Sequence, residues 1–327
     1  MGLKIAQFYG DKRNNGDYDN GVWMDLLKVP YLQKIEEAGN YDVVIRTMWL
    51  DAIGWSQEIR KRFPNVIQIG LSDHPLSTHI SKLPPERQIA YLQDLSFLDG
   101  IMALTDEERQ FYALAVPNIP VIKGGLPFPF EAYDKKFGKF INAKEKRFIG
   151  LGVGASDNDR NFISSALVMD RLHDIYPDLE GIYLSLPSYQ ISSTSIYADY
   201  YKKIWLHERE GMEGFYEKLS QCHFIINLAD RNSPGRIQGE GAYFGVPIIG
   251  SDRLELQKEL WPDLTVSPYS VEDAAKLAVF LMEAPEIGTG LAVKARERLE
   301  AYNYRRSRGK FNKLLREVLA KRTVEGV

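Results

Sequence analysis

The stretch from His223 to Arg253, HFIINLADRNSPGRIQGEGAYFGVPIIGSDR, concentrates residue types suited to holding an anion. An apolar run ends at Ala229, and a polar loop carrying Pro234 and Gly235 leads into a helix expected from about Arg236 to Phe244. Gly245 and Pro247 end that helix and open the next strand. A loop of this kind at a helix N-terminus offers N–H groups without intrahelical partners and a partial positive charge, the elements of a phosphate site. The amides around Ser233, Gly235, Ile237 and Gln238 are the candidate donors, and Arg236 adds a planar fork matched to phosphate oxygens. Glu240 lies one turn further on the same helix face, where a carboxylate can accept hydrogen bonds from ribose hydroxyls. The alternative is a structural strand–loop–helix unit in which Gly235 and Gly245 only close tight turns.

Other chemistry-bearing patterns are thinner. Asp17-Tyr-Asp19 and Asp157-Asn-Asp159 spell the Asp-x-Asp of metal-dependent GT-A transferases, a triplet that arises readily by chance in polar loops. The histidines at 74, 79, 173, 207 and 223 include no helical i, i+4 pair, and the lone Cys222 excludes both an internal disulfide and a cysteine-rich metal site. Gly150-x-Gly152-x-Gly154 brings its third glycine one residue too early for a dinucleotide fingerprint. Ser233 precedes a proline and lies in no nucleophile elbow.

The elements that must position these residues are legible as an alternation. With 327 residues, 44% apolar and 26% charged, the chain is long enough for two domains with real cores. Short, continuous apolar runs at Leu3–Tyr9, Tyr41–Thr47, Val66–Leu71, Gly100–Leu104 and Pro120–Lys123 have the character of strands buried on both faces. Between them lie helical patterns, one over Val22–Ala38 with Pro30 as a kink or break, another opening at Thr105 as a cap. The alternation pauses over Leu126–Glu145 and restarts with Arg147–Val153, Gly181–Leu186, His223–Ala229, Pro247–Gly250 and Leu264–Val266. Met212, Phe215, Tyr216 and Leu219 mark one intervening helix, Ser270 caps another, and Phe311, Leu314, Leu315, Val318 and Leu319 line the last. Strand–helix alternation implies parallel sheets, and ligands then sit at the carboxyl ends of the strands.

At this point the residues carry a resemblance. The pattern around Glu240 resembles the donor-nucleotide motif of GT-B glycosyltransferases of the retaining family-4 type, in which two glutamates separated by seven residues precede small residues, a glycine, a proline and an apolar strand. Glu240, Ala242, Gly245, Val246, Pro247, Ile248 and Ile249 fit its second half, while the first glutamate is replaced by Asn232, a residue type able to hydrogen-bond sugar hydroxyls. Phe148–Ala155, followed by the polar stretch Asp157 to Asn161, resembles the glycine-ended strand and basic residue that open the second domain of that family. The resemblance implies that Gly152 and Gly154 let the nucleotide approach the backbone and that Arg160 meets the donor diphosphate. It sets Asn20-Gly21 where such enzymes often have a Gly-Gly loop on the acceptor side. It makes His74, with Asp73 as the fallback, the residue touching donor sugar or acceptor. The base would lie near Leu184–Ser188 and the loop at Glu208–Met212.

The expectation is an α/β protein of two doubly wound Rossmann-like domains facing a central cleft. Residues 1–130 would form the acceptor-side domain, 131–146 a linker, 147–305 the nucleotide-sugar domain, and 306–327 a helix crossing back to the first domain. The expected function is transfer from a nucleotide-diphosphate sugar, a UDP-sugar, to a hydroxyl with retention, with Arg160 and Arg236 stabilising the leaving group. No permanently bound cofactor and no metal are expected. Alternatives are a DNA-modifying glycosyltransferase, a sugar-nucleotide epimerase and a non-catalytic nucleotide-sugar-binding protein. The DNA reading draws on two basic runs: eleven Lys/Arg against three Glu from Lys294 to Arg322, and six against two acids from Tyr133 to Arg147. The absence of a long apolar run and of a signal-type N-terminus gives a cytoplasmic expectation.

Overall fold

The computed structural model describes residues 2–8, 23, 26–48, 52–72, 76, 80–141, 146–153, 161–184, 204–206 and 211–325. The chain divides into two compact units, Met1–Pro129 with Tyr302–Val327, and Phe130–Ala301. In the first unit, β1 (Ile5–Phe8), β2 (Tyr31–Leu32), β3 (Val43–Thr47), β4 (Ile67–Leu71), β5 (Gly100–Ala103) and β6 (Val121–Lys123) form one parallel sheet, ordered β2-β1-β3-β4-β5-β6. Strand side chains alternate between two layers. Val43, Ile45, Ile67, Ile69, Leu71 and Met102 enter a core with Trp23 and Leu26, whereas Ala6, Phe8 and Val44 enter another with Ile59. Helices α1 (Trp55–Arg62), α2 (Pro85–Leu95) and α3 (Asp106–Ala115) connect the strands.

Thr105 caps α3 as expected, its hydroxyl accepting from Glu108 N–H at 3.2 Å. The helix expected over Val22–Ala38 does not run through. Lys28 takes a left-handed φ of 54°, Pro30 cannot donate, and Tyr31–Leu32 instead pair with Gln7 and Phe8 as β2.

The second unit opens with α4 (Phe130–Phe137), inside the segment expected as a linker, and Tyr133 of that helix is buried. It continues through β7 (Phe148–Val153), α5 (Phe162–Ile175), β8 (Glu180–Leu184), β9 (Ile204–Leu206), α6 (Met212–Ser220), β10 (Cys222–Asn227), α7 (Arg236–Phe244), β11 (Ile248–Ser251), α8 (Glu255–Leu260), β12 (Thr265–Val266), α9 (Val271–Glu283) and α10 (Pro285–Leu299). Ser270 precedes α9 without the expected side-chain cap. The parallel sheet is ordered β12-β11-β10-β7-β8-β9. The chain therefore winds outward from β7 in one direction and from β10 in the other. The crevice at the carboxyl ends of these two neighbours is the switch point where doubly wound sheets bind ligands.

The last helix, α11 (Tyr304–Glu325), returns to the first unit. Phe311, Leu314, Leu315 and Val318 join the core formed by β3, β4 and β5. Gly100 permits that approach, since a Cβ there would stand 2.8 Å from Val318 Cγ2 and 3.1 Å from Leu314 Cδ1. Four basic residues of this helix donate to other parts of their own unit, while Arg305, Arg306, Lys313 and Arg316 are exposed. Arg308 donates to Leu26 O, Lys310 to Gly124 O at 3.0 Å, and Lys321 to Asn118 O. Arg322 grips the Asp99 carboxylate at 3.1 and 3.2 Å and Asn65 O at 2.9 Å. Among the described residues, no helix is long and apolar enough to cross a membrane.

Glu108, at the start of α3, is buried; its Oε2 accepts from Ser72 Oγ at 2.7 Å, Leu104 N–H at 2.9 Å and Thr105 N–H at 3.2 Å. Burial raises its pKa from 4.5 to about 7 against the pull of those donors.

Leu314→Ala should lower stability by about 2–5 kcal/mol in denaturant titration, the range for an aliphatic truncation in a closed core. An unchanged midpoint would mean that α11 is not docked. Because Glu108 holds its proton to higher pH folded than unfolded, its contribution is full below pH 4.5 and lost as pH rises through about 7. Glu108→Gln should therefore remove a fall of about 3 kcal/mol at most across that window, visible as the difference between the two pH–stability curves.

Candidate functional site

The carboxyl end of β10 carries the loop Leu228–Gly235 into α7. Gly235 occupies the cap position at φ 78° and ψ 66°, a left-handed conformation that glycine adopts without strain. A Cβ there would lie 2.7 Å from Gln238 Oε1. The Gln238 amide is wholly buried, and neither its oxygen nor its nitrogen has a hydrogen-bond partner. Asn227, the last residue of β10, is also buried with its Oδ1 unpartnered. Orphaned polar atoms cost roughly 1–3 kcal/mol each. The passage from β10 into α7 thus holds two buried side chains with unused hydrogen-bonding atoms.

Not every donor expected at the start of α7 is available. Ser233 N–H bonds to Arg253 O at 3.3 Å, and Gln238 N–H turns back to Gly235 O at 3.2 Å. Ser233 and Pro234 carbonyls accept from Glu255 and Leu256 N–H at 2.9 Å each, so this loop also holds the start of α8. The first-turn amides of Arg236 and Ile237 are those that helix geometry points out of the N-terminus. Asn232 sits half-buried in the same loop.

Arg236 and Glu240 lie on one face, as their spacing implies, yet they meet each other. Arg236 Nε donates to Glu240 Oε1 at 3.0 Å, and Glu240 is almost wholly buried. The same oxygen accepts from Tyr216 OH at 2.8 Å and Tyr133 OH at 3.0 Å. The two hydroxyls are 2.5 Å apart, and Arg236 Nη2 donates to Tyr133 OH at 3.3 Å. Burial pushes both tyrosine pKa values up, with the Glu240 charge adding to it, so both remain protonated donors. Glu240 Oε1 is accordingly engaged by three protein groups.

Two functional neighbours escaped sequence reasoning. Tyr216 was legible only as part of an apolar stripe, and Tyr133 fell in the supposed linker. A third, Asn161, opens α5 at a left-handed φ of 48°. Its Nδ2 donates to Leu228 O at 2.9 Å and Pro268 O at 2.7 Å, tying the loops after β10 and β12 to the start of α5. The enrichment of asparagine in that conformation was the available signal. Cys222 is buried, its thiol pushed up to about 12 by burial, and is no nucleophile. Gly152 lies in β7; Asn20, Gly21, Asp73, His74, Gly154 and Arg160 lie outside the described residues, as do both Asp-x-Asp triplets.

Neither a protein-family model nor a curated protein matches the sequence. Among solved structures, the chain is similar to a UDP-forming α,α-trehalose-phosphate synthase from Burkholderia xenovorans, with 12% identity over 92% of this chain and 79% of that one and a TM-score of 0.73. It is similar to the N-terminal domain of trehalose-6-phosphate phosphatase from Candida albicans, with 16% identity, 93% and 78% coverage and a TM-score of 0.70. The sucrose-phosphate synthase of Thermosynechococcus elongatus gives 14% identity, 96% and 81% coverage and a TM-score of 0.69. At such identities the likeness is one of fold, and that fold is the GT-B type, with two doubly wound α/β units.

Gly235→Ala should cost roughly 1–3 kcal/mol of stability, combining left-handed strain with displacement of Gln238. Gly138→Ala, where a Cβ would meet nothing within 4 Å and no positive φ is required, serves as the control. Equal melting curves for both variants would show that Gly235 is not constrained.

Proposed function

We propose that this chain is a glycosyltransferase of the retaining, family-4-like kind, moving a sugar from a UDP-sugar to an acceptor hydroxyl. The observation that carries the reading is the switch-point helix: α7 begins at a left-handed glycine, bears Arg236 in its first turn, and follows β10, the neighbour of β7, at the carboxyl edge of the sheet. The likeness in fold to a UDP-forming synthase supports the same assignment. Departure of a nucleotide diphosphate places growing negative charge on phosphate oxygens, and catalysis requires donors already aimed there. Arg236 supplies charge-assisted hydrogen bonds, and the first-turn amides of α7 add the helix's partial positive charge. Arg160 would act alongside them, and His74 or Asp73 would touch donor sugar or acceptor. In this reading the helix terminus and arginines make a metal unnecessary. Asn232 takes the part of the family's first glutamate toward sugar hydroxyls. The acceptor is a saccharide, lipid-linked or DNA hydroxyl: Arg308, Lys310, Lys321 and Arg322 are engaged within their own unit, while Arg305, Arg306, Lys313 and Arg316 are exposed.

The test is incubation of the purified chain with a panel of nucleotide-diphosphate sugars, following nucleotide release with and without EDTA. Release from one UDP-sugar, undiminished by chelation, is expected. Isomerisation without nucleotide release would replace the reading by an epimerase, binding without turnover by a sugar-nucleotide receptor, and loss on chelation restored by manganese by a metal-dependent transferase. Arg236→Ala should weaken UDP binding by about 1.5–3 kcal/mol and leave uridine nearly unchanged.

A further inference from the structure

A buried carboxylate that takes three donors on one oxygen is built to hold something still. Glu240 Oε1 receives Arg236 Nε at 3.0 Å, Tyr216 OH at 2.8 Å and Tyr133 OH at 3.0 Å. Tyr133 OH, in turn, accepts from Arg236 Nη2 at 3.3 Å, so the guanidinium is contacted at Nε by the carboxylate and at Nη2 by the phenol. Two contacts on one edge fix both the position and the plane of a guanidinium, whose five N–H groups lie in a rigid fork.

The phenols are themselves immobilised. Tyr133 packs against Phe137, Tyr216 and Tyr243 at ring distances of 5.5, 5.3 and 5.3 Å, and Tyr216 against Phe137 and Phe244 at 4.4 and 5.1 Å. Three helices, α4, α6 and α7, therefore converge on one charged group at the first turn of α7. A simple salt bridge would need neither phenol.

We propose that Glu240, Tyr133 and Tyr216 are positioning residues that orient Arg236 toward the diphosphate of the donor. This rests on the UDP-sugar reading above. Its distinctive consequence is a split between ligands. Disturbing the phenols misaligns Arg236 and weakens phosphate binding without changing any charge, while a nucleoside that lacks phosphates is indifferent.

The test is titration of UDP and of uridine into the wild-type chain, Tyr133→Phe, Tyr216→Phe, the double Phe variant and Glu240→Gln, with melting curves for each. A parallel measurement follows solvent exchange of the Arg236 Nε–H signal in the ligand-free protein by nitrogen-15 NMR, assigned with Arg236→Lys. The double Phe variant should bind UDP about three- to tenfold more weakly, the worth of one neutral hydrogen bond, with uridine affinity unchanged. The Nε–H should exchange slowly in the wild type and faster in the double variant. UDP affinity unaltered in the double variant, or uridine affinity falling there as far as UDP affinity, would overturn the proposal. A wild-type chain that binds neither ligand would sink the donor reading instead. In that case the exchange measurement still decides the positioning: equal rates in wild type and double variant would overturn it.

Discussion

A parallel sheet presents apolar side chains on both faces, and neither face tolerates water. In the first unit this constraint reaches across the whole chain. One layer of β3, β4 and β5 is closed by Phe311, Leu314, Leu315 and Val318, residues that follow the entire second unit in sequence. The absence of a Cβ at Gly100 and the carbonyl contacts of Arg308, Lys310 and Lys321 follow from that one docking event. Lysine and arginine cover apolar surface with their stems while their heads find acceptors at the rim, which explains why a net-basic helix can lie on a hydrophobic layer.

The same economy governs buried charge. Asp94, on α2, pairs with Arg46 and accepts Ser56 and Gln57 N–H at 3.0 and 3.2 Å, capping α1 from another helix. Glu240 takes an arginine and two phenols. Glu108 takes only neutral donors, and burial leaves it titrating at about 7. Burying a carboxylate demands compensation from charge or from several hydrogen bonds. The choice of partner separates two carboxylates locked to arginines from one whose proton exchanges near neutrality.

Much of this was legible in the residues because the strands are buried on both faces and so carry unbroken apolar runs. Ten of the strands lie within or across the runs read from sequence, while β2 lies inside the stretch read as a helical pattern and β9 outside every run. The α7 loop was legible because glycine and proline punctuate it. What local sequence could not convey was pairing across distance. Tyr133 and Glu240 are 107 residues apart, and nothing in either neighbourhood announces the other. A count of charges in the basic run likewise carries no information on which of them meet carbonyls of their own unit.

The second unit is an insertion: residues 130–301 interrupt a domain whose two parts are 1–129 and 302–327. This has a consequence for the order of events on the ribosome. Synthesis proceeds from the N-terminus and domains fold as units once their residues have emerged. The inserted unit is complete when residue 301 leaves the exit tunnel, whereas the domain that starts the chain still lacks the helix that seals it. The strands of the first unit must wait, one apolar layer uncovered, through the translation of the second unit. Nascent chains stalled before residue 311 would therefore present to chaperones a finished second domain joined to an unsealed first one.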